Sequence, residues 1–314
     1  MKKIKYTLGE CMVPQGCVLA LGFFDGVHLG HRELLKFTSE EAARRGIPSA
    51  VFTFSYGGGI KSGIQPIYSE EERVLLLSSL GIEILIEADF ASIKDVSPER
   101  FIKQSLLCDL RTEVAVVGYN YRFGAKGAGD ASLLQQIMTE CGVEARVFDE
   151  FTYDGVTVSS TRIRALLTEG NVKTAGHLLG LPYFLSGKIE HGRKDGTRFG
   201  YPTINVPARK GAVEIRKGVY LTAVKLGEKL YTGLTNVGEC SSFGKREYHT
   251  ETFLTDFSGD AYGMETKVYF LRFLRDELYF SSPDELGEQI KKDCALAQIL
   301  KGELKWQELG QSLL

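Results

Sequence analysis

Cys17-Val-Leu-Ala-Leu-Gly-Phe-Phe-Asp-Gly-Val-His-Leu-Gly-His31 decides how the first half of the chain is read. Cys17–Phe23 is an apolar, β-rich run with the length of a strand buried on both faces, as strands of parallel sheets are. Glycines stand at 22, 26 and 30, where a backbone lacking Cβ can approach a ligand closely. Helical spacing then sets in over Glu33–Arg45. The free amides of such a helix N-terminus attract anions. His28 and His31 stand at that opening on one helix face. Two imidazoles beside the positive end of a helix form a clamp for a polyphosphate. The plainer reading is a pair of histidines placed there for capping or core packing.

The alternation continues on the C-terminal side. Ser49–Phe54, Ile82–Glu87 and Val114–Gly118 read as further strands, separated by helical patterns at Glu70–Leu80, Pro98–Leu110 and Ala131–Cys141. Such a chain forms a parallel sheet covered by helices, with ligands at the carboxyl ends of the strands. Two short helices, Thr161–Leu167 and Val172–Leu179, end at Gly180-Leu181-Pro182, which places a domain boundary between residues 1–181 and 182–314. Beyond it Tyr183–Glu190, Gly218–Leu226, Lys229–Asn236, Tyr248–Phe257 and Glu265–Phe273 read as antiparallel strands without intervening helices, the pattern of a small β-barrel. Asp284–Leu300 and Leu304–Leu313 return to helical spacing.

Composition narrows the function classes. The 314 residues are 43% hydrophobic and 25% charged, with a net charge of −2 and scattered Lys and Arg, so no electrostatic grip on nucleic acid or membrane is expected. The N-terminus lacks the apolar run of a signal peptide, and no segment approaches the twenty apolar residues of a membrane span. The six cysteines are dispersed, with no zinc-site spacing, which fits reduced thiols in a cytoplasmic protein. The partners expected are small molecules; the sequence leaves the oligomeric state open.

The first half contains neither a Walker P-loop nor Gly-x-Gly-x-x-Gly. Its histidine segment suits attack by an acceptor's phosphate oxygen on the α-phosphorus of ATP, a reaction carried by alignment and charge stabilisation without an enzyme nucleophile. Gly22, Phe24, Asp25, Gly26 and Gly30 are expected at the phosphates with His28 and His31. Gly118-Tyr-Asn-Tyr-Arg-Phe-Gly124 offers Asn120, Tyr121 and Phe123 for stacking on a planar ring, or is simply an aromatic-rich loop. Val158-Ser-Ser-Thr-Arg-Ile-Arg164 opens a helix with Ser159, Ser160 and Thr161 as phosphate ligands and Arg164 for the leaving pyrophosphate. Its bland alternative is an N-cap with solvated arginines.

Gly187-Lys-Ile-Glu-His-Gly-Arg-Lys-Asp-Gly-Thr-Arg-Phe-Gly-Tyr-Pro-Thr-Ile-Asn205 is a second glycine-rich stretch. It reads as a cluster of turns, or as a phosphate site in which Gly192 and Gly200 admit phosphate and Thr203 and Asn205 offer neutral oxygens to Mg2+.

Taken together, the three N-terminal segments closely resemble the prokaryotic FAD synthetases of the bifunctional riboflavin kinase/FMN adenylyltransferase family. The resemblance implies a Rossmann-like nucleotidyltransferase domain followed by a riboflavin kinase-like barrel with C-terminal helices. It implies that riboflavin is phosphorylated by ATP to FMN, and that FMN is adenylylated to FAD with release of pyrophosphate. The planar ring at Asn120, Tyr121 and Phe123 is then flavin. The barrel half matches the family through Gly218-Val-Tyr220, Asn236-Val-Gly238, Glu251-Thr252, Asp256–Gly263 and Arg275-Asp-Glu-Leu-Tyr-Phe280. Carried over, Glu251 is the base that activates the ribityl hydroxyl, and Arg275 contacts flavin.

This chain departs from the family pattern at four places. Tyr201 replaces Phe, Arg198 stands one step late in Gly196–Gly200, Ser241-Ser242 replaces Pro-Thr, and Phe253 replaces His. They motivate an alternative in which the barrel is a flavin-binding or regulatory module and only adenylyl transfer remains. A nucleotide sensor without turnover, and adenylylation of pantetheine phosphate or nicotinate mononucleotide, are further readings. The last leaves the second half unexplained.

Overall fold

The computed structural model describes residues 1–55, 65–190, 203–207, 209, 211–242 and 245–303. Within it the chain forms two compact units, Met1–Ser160 and Thr161–Leu314. That division falls inside the first of the two short helices after the parallel sheet.

The first unit is built on six parallel strands: β1 (Lys2–Tyr6), β2 (Cys17–Leu21), β3 (Ser49–Phe54), β4 (Ile84–Ala88), β5 (Thr112–Gly118) and, after two short strands β6 (Arg122–Phe123) and β7 (Gly129–Asp130), β8 (Glu144–Phe148). Their order is β1-β4-β3-β2-β5-β8. Every residue of β2 is buried, as its unbroken apolar run requires. The helices are α1 (Leu29–Arg45), α2 (Glu70–Ser79), α3 (Phe90–Ile93), α4 (Pro98–Arg100) and α5 (Ala131–Glu140). From β2 the chain first adds β3 and β4 on one side, then crosses to add β5 and β8 on the other. The direction of winding therefore reverses beside β2, and a crevice at the carboxyl ends of such strands is where ligands of open α/β sheets bind.

Two strands of this sheet have no counterpart among those expected. The lysine-rich β1 pairs with β4 at one edge, and Glu144–Phe148 pairs with β5 at the other. Edge strands need only one apolar face, so their hydrophobic signal is weak. The helix expected over Pro98–Leu110 is one turn of α4 continued by π-helix over Phe101–Asp109. The other helices begin and end where their chemistry directs. Ser69 and Glu72 form a reciprocal capping box on α2, Asp130 caps α5, and Gly46 closes α1 in a left-handed conformation. Two further short strands, β9 (Thr152–Tyr153) and β10 (Val156–Thr157), form a hairpin before α6 (Ser160–Thr168).

The second unit holds the rest of α6, α7 (Val172–Leu179) and an antiparallel sheet of six strands: β11 (Phe184–Lys188), β12 (Thr203–Val206), β13 (Gly218–Leu226), β14 (Lys229–Ser242), β15 (Lys245–Leu254) and β16 (Glu265–Arg275). The order is β11-β16-β13-β14-β15-β12, and Glu190 just past β11 bridges to Asn205 on β12. That bridge joins the two edges, so the sheet curls into the expected small barrel. Gly227, at φ 57, makes the tight turn between β13 and β14. The helix α8 (Pro283–Glu303) packs on β14. The helix expected over Leu304–Leu313 lies outside the described residues.

Candidate active sites

The histidine segment leaves the carboxyl end of β2, beside the point where the winding reverses. Phe24 (φ 52), Gly26 (φ 83) and Val27 (φ 44) all adopt left-handed backbone. For the two residues carrying a Cβ this costs roughly 1–2 kcal/mol each, and Val27, β-branched, is the less tolerant. Local strain of this kind persists only where surroundings over-determine it. Here they do. The Phe23 carbonyl accepts from Thr53 Oγ1 (3.2 Å) and from Arg73 Nη1 (3.3 Å). The Asp25 carboxylate accepts the Ile67 amide at 2.9 Å, and the Asp25 carbonyl accepts the Ser160 hydroxyl at 2.7 Å.

The turn delivers His28 to the N-cap of α1. Its Nδ1 accepts the His31 amide at 3.4 Å, doing with imidazole what Ser or Asp does at most helix starts. The two rings stack with centroids 3.6 Å apart and planes 17° apart, and the Phe24 ring meets His31 edge-on at 5.3 Å. His28 is buried, and burial holds its pKa down to about 4. A neutral ring whose Nδ1 accepts a hydrogen bond carries its proton on Nε2, so His28 presents a donor on that side. Burial also lowers the pKa of the Arg32 guanidinium.

Two glycines have steric reasons. A Cβ on Gly22 would lie 3.0 Å from the Phe24 ring, and one on Gly30 would lie 3.0 Å from the Cβ of Phe151. Phe24 and Asp25, expected at the phosphates, are both buried, and each holds the turn in shape. Ser160 starts α6 and reaches back to the same turn through Asp25; Ser159 precedes it, half-buried. Thr161 and Arg164 lie on α6 in the second unit.

In the loop after β5, Asn120 is exposed. Tyr121 stacks on Phe123 with centroids 5.6 Å apart, and Phe123 packs on Phe101. Phe123 is buried in the aromatic core that also contains Phe52 and Phe101. Of the aromatics in this segment the solvent-facing one is Tyr119, whose hydroxyl donates to Glu150 at 2.6 Å.

Sequence reasoning misses Arg73. Its neighbours Glu70, Glu71 and Glu72 make it look like a surface charge at a helix start, yet it is fully buried. Nothing in one sequence separates a buried first-turn arginine from a solvated one.

In the barrel, β12, β15 and β14 align Asn205, Glu251 and Asn236 in register, so Glu251 lies between two asparagines on one face. Thr203 is two residues before Asn205 and shares that face. All four are half-buried, while the opposite face turns Ile204, Thr235 and Thr252 inward. There Thr222, Thr235 and Thr252 link their hydroxyls in a buried chain at 2.8 Å per step. Gly233 leaves room for it, since a Cβ would meet both Thr222 and Thr252. Arg275, expected at the flavin, forks onto the buried Asp293 of α8, Nη2 donating at 2.7 Å. Gly192 and Gly200 lie outside the described residues.

The chain matches the FAD synthetase family model over residues 11–162 and the riboflavin kinase model over 179–300. It is 34% identical over 312 residues to the bifunctional riboflavin kinase/FMN adenylyltransferase of Escherichia coli (strain K12), covering 97% of this chain and 99% of that protein. The chain belongs to the bifunctional riboflavin kinase/FMN adenylyltransferase family. The Bacillus subtilis (strain 168) member is 31% identical, covering 88% of this chain and 90% of its own. A Streptococcus pneumoniae crystal structure described as a macrolide-efflux protein superposes with a TM-score of 0.84 at 29% identity, over 95% of this chain and 99% of that one. No described helix of the present chain is long and apolar enough to cross a membrane. Both family modules are present, so the chain is an enzyme of flavin-cofactor synthesis, phosphorylating riboflavin to FMN and adenylylating FMN to FAD. ATP is the co-substrate of both steps. The alternatives in which the barrel only binds flavin, or the chain only senses nucleotide, give way to this.

Proposed function

We propose that residues 1–181 carry FMN adenylyl transfer and residues 182–314 carry riboflavin phosphorylation, each with the residues expected from the sequence. The observation that carries the first assignment is the stacked His28–His31 pair at the head of α1, beside β2. A phosphate oxygen of FMN attacks the α-phosphorus of ATP; the new P–O bond forms as the bond to the bridging oxygen breaks, and pyrophosphate leaves with the charge. The His28 Nε2–H, His31 and the free amides of α1 stabilise that charge. Gly22, Gly26 and Gly30 let the phosphates close on the backbone, with Phe24 and Asp25 holding the turn. Ser159, Ser160, Thr161 and Arg164 take the departing pyrophosphate, and Asn120 and Tyr121 form the flavin side, with the buried Phe123 stacked behind Tyr121.

For the kinase step, Glu251 accepts the proton of the ribityl hydroxyl as that oxygen attacks the γ-phosphorus of ATP and ADP leaves. Gly192 and Gly200 are assigned to the ATP phosphates and Arg275 to the flavin. Thr203 and Asn205 fit Mg2+, because two neutral oxygens on one half-buried strand face, beside a carboxylate, suit a hard ion that keeps most of its waters. When bound, that ion neutralises phosphate charge. A cytoplasmic location fits the free thiols of Cys11, Cys17, Cys108, Cys141 and Cys294.

The deciding experiment separates flavins by chromatography after incubating the protein with ATP, magnesium and either riboflavin or FMN. FAD from both substrates, with FMN appearing in between, is expected. FAD from FMN alone would remove the kinase assignment.

A further inference from the structure

We propose that Arg73 is a positioning residue for adenylyl transfer, acting through the Phe23 carbonyl on the strained turn that sets His28 and His31. This rests on the assignment of the two histidines to that reaction.

The side chain is fully buried and comes from the first turn of α2. Its guanidinium gathers the carboxyl ends of three neighbouring strands. Nη1 donates to the Phe23 carbonyl beyond β2 at 3.3 Å and to the Phe54 carbonyl at the end of β3 at 3.1 Å. Nη2 donates to Glu87 on β4 at 3.2 Å. Thr53 Oγ1 shares the Phe23 carbonyl. A lysine offers a point charge where this geometry needs a planar fork that reaches several acceptors at once.

Phe23 is the entry to the strained turn, and its carbonyl fixes where that turn starts. Phe24, Gly26 and Val27 take positive φ in the next four residues, and His28 caps α1 immediately after. The relaxed alternative for Phe24 and Val27 is negative φ, which would swing the His28 ring off the helix start. The turn is held from the same side twice. Ile67, in the lead-in to α2, gives its amide to Asp25, while Arg73 takes the preceding carbonyl. The α2 segment therefore fixes both the entry and the middle of the turn. Positioning of reacting groups is steep, with displacements near 1 Å costing on the order of 100-fold in rate.

The test compares Arg73→Met, Arg73→Lys and His31→Ala with the native enzyme. Riboflavin phosphorylation and the thermal transition serve as controls for folding. Expected for Arg73→Met is a fall in kcat for FAD formation of about 30–100-fold, with KM for ATP changed less than about 3-fold and riboflavin phosphorylation retained. Arg73→Lys should recover at least about a third of the logarithmic loss, because it keeps one donor to the carbonyls. Thr53→Val, which removes the other donor to Phe23 together with an acceptor 3.5 Å from Arg73 Nη1, should lower kcat in the same sense by about 3–10-fold.

Native kcat in Arg73→Met overturns the inference. So does a loss that Lys does not relieve and that tracks the fraction unfolded in the thermal transition, since that describes scaffolding alone. Full FAD formation by His31→Ala would instead overturn the site assignment on which the inference stands.

Discussion

The Nδ1 of His28 accepts the backbone amide of His31, and the two imidazoles stack 3.6 Å apart. One interaction thus caps a helix, fixes a tautomer and sets the spacing of the two rings proposed to clamp phosphate. Charging both rings at that distance would be repulsive, so the arrangement requires at least one neutral histidine.

Stability should depend on pH through His28. Burial holds its pKa at about 4, below the 6.5 of a free histidine. The unfolded chain therefore binds the extra proton between those values. The stabilisation is complete above about pH 6.5 and is lost as pH falls toward 4. Its full size is on the order of 3 kcal/mol. Calorimetry from pH 7 to pH 4 should show this loss, and His28→Asn, which keeps a capping oxygen, should flatten it.

The two reactions should separate by mutation. His31→Ala is expected to lower FAD formation from FMN by at least about 100-fold and leave riboflavin phosphorylation within about 2-fold. Glu251→Gln should do the reverse. Initial rates of ADP and pyrophosphate release measure both in one preparation. A variant that abolished both reactions would count against the division of labour.

Gly218 is held at φ 142, and an added Cβ would run into the Arg275 carbonyl. Neither the backbone angle nor a backbone neighbour can yield cheaply. Gly218→Ala should destabilise the barrel by about 2–4 kcal/mol. The expected signature is a lower melting temperature with early loss of kinase activity on heating.

Asp293 is buried under the Arg275 fork and also accepts from Gln289 at 2.9 Å. Removing it leaves a largely buried guanidinium without its carboxylate, a change that typically costs about 3–5 kcal/mol. Asp293→Ala should loosen α8, seen as faster amide exchange along that helix. If Arg275 also contacts flavin, KM for riboflavin will move with it.

The sequence by itself carried the parallel α/β half, the antiparallel barrel and the family's motif segments. Those depend on local patterns: Cys17–Leu21 is apolar throughout because both its faces are covered, and Gly218–Leu226 ends in a turn that its own Gly227 requires. The edge strands Lys2–Tyr6 and Glu144–Phe148 were not legible, since half-covered strands carry little hydrophobic signal. Only the tertiary structure decided which side chains near a motif are buried and which reach solvent. Phe24, Asp25 and Phe123 look reactive in a string but turn inward, while Arg73 looks solvated and is buried beneath the turn. Burial and hydrogen bonding to a distant carbonyl depend on which strands become neighbours. That choice is made by the whole sheet, and no window of sequence contains it.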